Sequence, residues 1–340
     1  MKNVLYYFIL MLLGCTGGVD QAKKQFFLRG TEQLNLREYK QAIYFFSEAL
    51  VKDSMYAVAY NNRGIAYYEL NEYRRALSDY NRALEIEPDF ADALYNRSNT
   101  FFALKKYRRS LQDLKRIKLT YSDSAYVYFA EGLVKSELKD YDGALIAFDR
   151  ALKLDPENPE TYINRGTTKY YLQDLEAAKM DLLAALAIDP SQANAYNLRA
   201  LIEVELGNNI EALNQINQAL SISRSQPFFL NNRGFIYLKM SDLEQAERDI
   251  NQSIIMDPEN PWAYRNKGIF YLEKGLLSDA KRLFYQTKTM DPSVKLLEFY
   301  LGQTHLLAQN IDSACWYWKI SNLKKEAAGM EAFERHCQQG

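Results

Sequence analysis

The sequence predicts an all-α solenoid in which nine copies of one 34-residue unit follow each other without insertions. Three tracks of mostly small residues, each read in steps of 34, predict this architecture. Composition alone does not produce such phasing, so a repeat protein is expected. The tracks are Gly30, Gly64, Ser98, Gly132, Gly166, Ala200, Gly234, Gly268 and Gly302; Ala42, Ala76, Ser110, Ala144, Ala178, Ala212, Ala246, Ala280 and Ala314; and Ala49, Ala83, Ile117, Ala151, Ala185, Ala219, Ser253, Thr287 and Ser321.

Each unit is predicted to form two amphipathic helices. When the unit starts at Lys23, large residues recur at positions 4 and 24, and small ones at positions 8, 20 and 27. Spacings of 3, 4 and 7 place such residues on one face of a helix. Glycine inside a helix costs about 1 kcal/mol relative to alanine, so we expect the glycine at position 8 to admit a large neighbouring side chain. A proline at position 32 of five units predicts the end of the second helix.

These positions resemble those of the tetratricopeptide-repeat family, and the resemblance covers residues 23–328. It implies helix-turn-helix units that stack into a right-handed superhelix with a concave groove. Repeat 3 lacks the proline and has Ser98, Ser110 and Ile117 on the three tracks, so we expect it to be less regular. The nine predicted repeats are 23–56, 57–90, 91–124, 125–158, 159–192, 193–226, 227–260, 261–294 and 295–328.

The first residues of the chain have the layout of a secretory signal. Lys2 is followed by an apolar run from Val4 to Leu13, which is too short to span a bilayer. We therefore interpret residues 1–14 as a signal peptide.

Gly14, directly before Cys15, resembles part of a bacterial lipobox, whose cysteine is acylated and becomes the new N-terminus. This resemblance makes Cys15 the lipidation site and residues 15–22 a short tether. The expected location is a bacterial cell envelope, where the lipid anchors the protein to a membrane on the periplasmic side or at the outer membrane. An ordinary secreted protein and a cytosolic protein are the alternatives.

Residues 329–340 are predicted to form a helical cap, because the end of a solenoid needs a solvated surface. Cys315 and Cys337 are the two thiols that remain once Cys15 is acylated. Their midpoint is residue 326, where the chain turns from the last repeat into the cap. Residues equidistant from the turn of a helical hairpin lie opposite one another, so we expect a disulfide in an oxidising compartment. Two buried thiols are the alternative.

The composition argues against catalysis and against nucleic-acid binding. Two histidines and three cysteines do not suffice for a convincing metal site, and the glycines are explained as packing positions instead of a phosphate-binding loop. The net charge is −1, and the arginines recur once per repeat without forming a patch. We therefore expect no enzyme activity, no cofactor, no metal and no nucleic-acid partner.

Positions 2, 5, 6, 9 and 13 lie on the face of the first helix that lines the groove in the family. Asparagine recurs at position 6 although it is a poor helix former, and its amide suits the backbone of an extended peptide. This track resembles the asparagine ladder of eukaryotic O-linked N-acetylglucosamine transferase; the alternative is that the amides are satisfied within the stack. Groove aromatics are candidate anchors. The predicted peptide-binding residues are Asn62, Asn96, Asn164, Asn232, Asn266, Tyr95, Phe129, Phe228, Phe235 and Trp262.

Charged residues constrain both the stack and the ligand. Arginine at position 7 and aspartate at position 23 are predicted to form a structural ion pair, within or between repeats, worth at most about 1 kcal/mol. Groove acids outnumber groove bases. The family's carboxylate clamp is missing, since Asp92 and Asn96, or Trp262 and Asn266, occupy its basic positions. An extended, partly apolar segment that is uncharged or mildly basic is therefore the expected ligand.

Together these features predict a non-enzymatic scaffold or adaptor that binds a partner protein or peptide in its concave groove. The alternative is a periplasmic chaperone or substrate-delivery subunit for exported proteins. A weaker third option is a structural protein whose open end stacks on a second copy.

Overall fold

The computed structural model describes residues 20–337, and every regular element within them is an α-helix. The predicted signal peptide and Cys15 lie outside these residues, while residues 20–22 of the predicted tether already belong to the first helix. The helices are α1 (20–35), α2 (Tyr39–Lys52), α3 (Ala57–Glu69), α4 (Tyr73–Ile86), α5 (Ala91–Ala103), α6 (Tyr107–Thr120), α7 (Ala125–Glu137), α8 (Tyr141–Leu154), α9 (Pro159–Tyr171), α10 (Leu175–Ile188), α11 (Ala193–Glu205), α12 (Asn209–Ile222), α13 (Pro227–Lys239), α14 (Leu243–Met256), α15 (Pro261–Glu273), α16 (Leu277–Met290), α17 (Leu297–Leu307), α18 (Ile311–Leu323) and α19 (Ala327–Cys337).

The helices follow the predicted period, with odd-numbered first helices and even-numbered second helices. In repeats 2 to 8 the first helix has 13 residues and the second has 14. The prolines act as predicted: α4 ends at Ile86, two residues before Pro88, and α8 ends at Leu154, two residues before Pro156. None of the described helices is long and apolar enough to cross a membrane.

The expectation that repeat 3 is less regular does not extend to the lengths of its helices. Its helices α5 and α6 have the same lengths as those of its neighbours. The hydroxyl oxygens of Ser98 and Ser110 lie 2.7 Å apart in a buried hydrogen bond, so the two polar residues satisfy each other where the other repeats pack glycine and alanine. Ile117 is buried, and α6 ends at Thr120 without a proline. The Tyr121 N–H makes the last helical hydrogen bond, to the Ile117 carbonyl, and Tyr121 itself has left the helical conformation, with φ −125° and ψ 72°.

The glycine at position 8 has the predicted packing role. A Cβ atom added to Gly64 would lie 2.6 Å from the Tyr80 ring, and one added to Gly132 would lie 2.5 Å from the Phe148 ring. Both distances are below van der Waals contact, so any side chain would displace the ring. The large residue comes from position 24 on the second helix of the same repeat. Glycine therefore sets how closely the two helices of a repeat approach.

The turn inside each repeat contains a residue with positive φ, which the sequence analysis missed. In repeat 2 the N–H of this residue, Asn71, bonds to the Tyr68 carbonyl, and the Glu72 N–H bonds to the Tyr67 carbonyl. With these two bonds the first helix ends in a common C-terminal capping motif, in which one residue adopts the left-handed backbone conformation. The equivalent residues are Arg37, Asn71, Lys105, Lys139, Gln173, Gly207, Ser241, Gly275 and Gln309.

The chain divides into two compact units, which we call unit 1 (residues up to Leu172) and unit 2 (residues from Gln173). The core of unit 1 is built between successive helices by buried residues such as Leu94 and Leu114. In unit 2 the corresponding residues include Phe270, which lies in one cluster with residues of α14, α16 and α17. Each unit is described by itself below.

The last repeat is closed by α19, which begins at Ala327, two residues before the predicted start of the cap. A disulfide joins Cys315 on α18 to Cys337 on α19, with 5.7 Å between their Cα atoms. The rings of Trp318 and His336 stack 5.3 Å apart beside it. The cap is thus held to α18 by a covalent link and by aromatic packing.

We predict that Cys315→Ser releases the cap by removing this link. In the chain-entropy model a closed loop of this length stabilises the fold by about 3 kcal/mol, so α19 should lose protection from hydrogen exchange. Thiol titration of the unfolded, unreduced wild-type protein should find neither Cys315 nor Cys337 free. Two titratable thiols at these positions would contradict the bridge.

Candidate peptide-binding faces

The groove positions lie on the first helices of the repeats, and neighbouring first helices touch within each unit. We call these surfaces face 1 (positions 2, 5, 6, 9 and 13 of α3, α5, α7 and α9) and face 2 (the same positions of α11, α13, α15 and α17). The predicted residues divide equally between them. Face 1 contains Asn62, Asn96, Asn164, Tyr95 and Phe129, and face 2 contains Asn232, Asn266, Phe228, Phe235 and Trp262.

The asparagines at position 6 bond within the stack. The Nδ2 of Asn96 donates to the Oδ1 of Asn61 at 3.0 Å, and the Nδ2 of Asn232 donates to the Oδ1 of Asn197 at 2.8 Å. Each bond reaches back to position 5 of the preceding repeat, 35 residues earlier. Each bond uses one of the two amide N–H groups for a contact inside the stack, as the structural alternative expects.

The other three asparagines also have partners inside the protein. Asn266 is buried, and its Nδ2 donates to the Oδ1 of Asn231 at 2.8 Å. Asn62 accepts a hydrogen bond from the Asn61 amide of its own helix at 3.1 Å. Asn164 donates to the backbone carbonyl of Glu160, one turn earlier in α9.

The arginine at position 7 forms the predicted ion pair within its own repeat and also bonds to the repeat before it. In repeat 3 the Arg97 Nε and Nη2 donate to the two carboxylate oxygens of Asp113 at 2.8 and 2.6 Å. The remaining Nη1 donates to the Asn81 side chain of repeat 2 at 2.7 Å. Arg63 and Arg233 make equivalent sets of bonds.

The carboxylate of this pair is more buried than the half-exposed pair that the sequence predicted. Asp113 is only 3% exposed, so its carboxylate is buried beneath the guanidinium. Breaking a buried pair by removing one partner leaves an uncompensated charge and costs about 3–5 kcal/mol. The pair therefore joins the two helices of one repeat, the Nη1 bond links that repeat to the one before it, and neither is available to a ligand.

Face 1 combines exposed tyrosine with carboxylates. The Tyr126 ring is 46% exposed and packs edge-on against Tyr95 at 4.8 Å. Burial raises the pKa of the Tyr95 phenol, so this group stays neutral beside its neighbour. Phe129 is half-buried and packs on Phe148, with 6.1 Å between the ring centroids. The exposed acids on this face are Glu69, Asp92, Glu137 and Glu160.

Two tyrosines of the second helices orient the acids of face 1. The Tyr107 hydroxyl donates to the Glu137 carboxylate at 3.0 Å, and the Tyr39 hydroxyl donates to the Glu69 carboxylate at 3.3 Å. Both acids remain exposed and keep their negative charge toward solvent. Face 1 therefore suits an uncharged or mildly basic segment.

Face 2 is more aromatic. Phe228 and Trp262 occupy position 2 of successive repeats, and each is 38% exposed. Phe228 packs edge-on against the buried Phe229 with ring centroids 4.3 Å apart. The Arg265 guanidinium lies between two rings, 4.8 Å from the Trp262 centroid and 4.9 Å from the Phe235 centroid. The aromatic side chains of this face are thus held in place before any ligand arrives.

Within residues 20–337, no three side chains of histidine, cysteine, aspartate or glutamate lie close enough together to bind a metal ion.

Family comparisons agree with this repeat architecture. Models of the tetratricopeptide repeat match residues 57–90, 136–203, 193–226 and 229–260, so repeats of this class are recognised along the chain. The fold is accordingly an all-α solenoid of the tetratricopeptide-repeat type.

Comparison with solved structures finds similar chains at low sequence identity. The crystal structure of the APC/C hetero-tetramer Cut9–Hcn1 matches with a TM-score of 0.63 and 14% identity, over 93% of this chain and 76% of that one. A monomeric IFIT1 mutant with Gppp-AAAA matches with a TM-score of 0.56 and 15% identity, over 81% and 71%. YrrB, a TPR protein with an unusual peptide-binding site, matches at 0.44 and 23%, over 54% and 95%. No protein of curated function matches the sequence significantly. At these identities the likeness shows the fold alone.

We predict that Asn266→Ala lowers the free energy of unfolding by about 1–3 kcal/mol, because it removes a buried acceptor of Arg265 and the bond to Asn231. Asn164→Ala is the matched control. It removes only a bond within one helix turn of α9, so we expect a change within about 0.5 kcal/mol. Urea denaturation measures both values. Equal losses, or a stable Asn266→Ala variant, would contradict the structural role of the ladder.

Proposed function

We propose that this protein is a non-enzymatic scaffold or adaptor that binds an extended segment of a partner protein on the first-helix faces of its repeats. The observation that supports this most is that Tyr126, Phe228 and Trp262 are exposed at position 2 of their repeats. Each ring is packed against a neighbour, so little conformational freedom is lost when a ligand covers it. Rigid, half-exposed aromatic side chains of this kind are typical anchors of protein interfaces.

The proposed ligand of face 1 follows from its charges. Four exposed carboxylates lie on the same face as the Tyr126 ring, and two of them accept hydrogen bonds from tyrosine hydroxyls. A segment with apolar side chains and few or basic charges complements this surface, while an acidic segment is repelled. The asparagine amides contribute indirectly, because they fix the helices that present the aromatic residues.

We further propose that a lipid on Cys15 tethers the protein to a bacterial envelope membrane on the periplasmic side or at the outer membrane. The motif Gly14-Cys15 after a short apolar run supports this location. The disulfide between Cys315 and Cys337 is consistent with it, since structural disulfides persist in oxidising compartments.

Partner binding on the first-helix faces can be tested with the double variant Tyr126→Ser and Phe228→Ser. This variant removes one aromatic anchor from each unit. Crosslinking and affinity capture from the native cells should recover one stoichiometric partner with the wild type and lose it with this variant. The matched control is Ile146→Ser with Ile255→Ser, which removes apolar side chains that are 69% and 73% exposed on second helices. The control should keep the partner. Equal loss in both variants would refute binding on the first-helix faces, and many heterogeneous clients would favour the chaperone alternative.

The tether is tested separately by mass spectrometry of the mature chain. We expect the wild type to begin at an acylated Cys15 and to partition with membranes. Cys15→Ser should give an uncleaved or soluble protein that keeps the helical content of the wild type. An unmodified Cys15 in the mature wild-type chain would overturn the lipid anchor and leave the scaffold proposal standing.

A further inference from the structure

Face 2 contains a row of four side chains in which rings and cations alternate. The Trp262 centroid lies 4.8 Å from the guanidinium carbon of Arg265, which lies 4.9 Å from the Phe235 centroid. The Lys239 Nζ follows at 5.4 Å from the same Phe235 ring. Trp262 and Arg265 are on α15, and Phe235 and Lys239 are on α13. The row therefore crosses from one first helix to the next.

Arg265 is a fixed internal part of this row. It is only 5% exposed, and its Nε and Nη2 both donate to the Oδ1 of Asn266, at 3.1 and 2.7 Å. Its Nη1 donates to the Lys295 carbonyl at 3.2 Å. Its donors are directed into the protein, so Arg265 contributes positive potential to the surface without offering a free hydrogen bond there.

Lys239 differs because its side chain is exposed at the end of α13. Within residues 20–337 the Lys239 Nζ has no hydrogen-bond or ion-pair partner; its contact is with the Phe235 ring. Desolvation by burial, followed by the charge of Arg265, lowers the pKa of Lys239, and the charge of Glu273 opposes this effect. An anion supplied by a ligand would stabilise the charged ammonium that these neighbours disfavour.

We propose that the row from Trp262 to Lys239 binds an extended peptide that places a large apolar side chain on Trp262 and a carboxylate on Lys239. This inference rests on the proposed scaffold function and names the ligand chemistry of face 2. A single ammonium with no second free donor fits one carboxylate better than a phosphate, which usually needs several donors. At Lys239, face 2 therefore selects an acidic position; its groove charges are mixed, with Lys239 and Arg265 beside the acids Glu205 and Glu273, whereas those of face 1 are all acidic.

The length of the row limits the spacing of the two side chains in the peptide. An extended chain rises by about 3.3 Å per residue, so side chains four residues apart point the same way and lie about 13 Å from each other. The successive contact distances of 4.8, 4.9 and 5.4 Å set an upper limit slightly above this on the distance from Trp262 to Lys239, so four residues is the widest same-facing spacing that the row admits. The expected pattern is an aromatic or large aliphatic residue, three intervening residues, and then aspartate or glutamate.

The test uses three fluorescent nonapeptides in which a phenylalanine is followed, after three serines, by glutamate, glutamine or lysine. Fluorescence anisotropy with the full, disulfide-bonded chain should rank glutamate first. It should bind up to about fivefold tighter than glutamine, with lysine weakest, as expected for one partly exposed ion pair. Higher salt should reduce the difference. Lys239→Glu should reverse the order of the glutamate and lysine peptides, and Lys239→Arg should keep the wild-type order.

Lys274→Glu is the matched control, because Lys274 is also an exposed lysine at the end of α15 but contacts the Phe270 ring outside the row. It should leave the ranking unchanged, and circular dichroism should show all variants folded. Equal binding of the three peptides to the wild type, or a ranking that survives Lys239→Glu, would overturn the inference and leave the scaffold proposal in place. Failure of every peptide to bind the wild type would count against both.

Discussion

The close approach of the two helices within each repeat is the constraint on which the rest of this structure depends. In repeat 2 the Tyr80 ring at position 24 lies against Gly64 at position 8, so the second helix packs directly on the backbone of the first. In the same repeat, Arg63 at position 7 bonds to Asp79 at position 23. A side chain in place of Gly64 would displace the Tyr80 ring and push apart the two helices that carry this buried pair. Sterics and electrostatics are thus coupled in the repeats that carry both contacts.

Side-chain hydrogen bonds between repeats fix the helices that carry the exposed faces. Arg97 bonds to Asn81 of the preceding repeat, and Asn96 bonds to Asn61 of that same repeat. The first helices α5 and α13 are therefore each held to the preceding repeat by two side-chain hydrogen bonds from adjacent positions. Side chains that point outward from such helices need little reorganisation to meet a ligand. The two faces differ in charge, with exposed carboxylates on face 1 and a cation–aromatic row at Lys239 on face 2.

The features that could be predicted from the sequence are those that depend on the size or charge of the residue at one fixed position of the repeat. The helix pairs, the packing of Gly132 and the arginine–aspartate pair are of this kind. The positive-φ turn was missed because seven of its nine residues are not glycine and share no chemical type. Backbone hydrogen bonds impose that conformation, and they leave no signal in side-chain identity.

Contacts between residues at different positions of the repeat were also missed or misjudged. The asparagine ladder connects residues 35 apart, one more than the period, so a search at fixed phase does not pair Asn96 with Asn61. The irregularity expected of repeat 3 came from reading Ser98 and Ser110 separately. Their mutual hydrogen bond turns two apparent defects into a matched pair. The roles of Lys239 and Arg265 depended on neighbours from the adjacent helix, which the sequence does not align.

The bridge from Cys315 to Cys337 gives the two ends of the solenoid unequal mechanical strength. Within residues 20–337 it is the one covalent cross-link between helices, and it lies in the last helix pair. In an array stabilised by contacts between neighbouring repeats, opening begins by fraying at an end, and a cross-linked end frays least. Pulling or heating should therefore peel helices from α1 onward, while the unit that contains the cation–aromatic row stays folded longest.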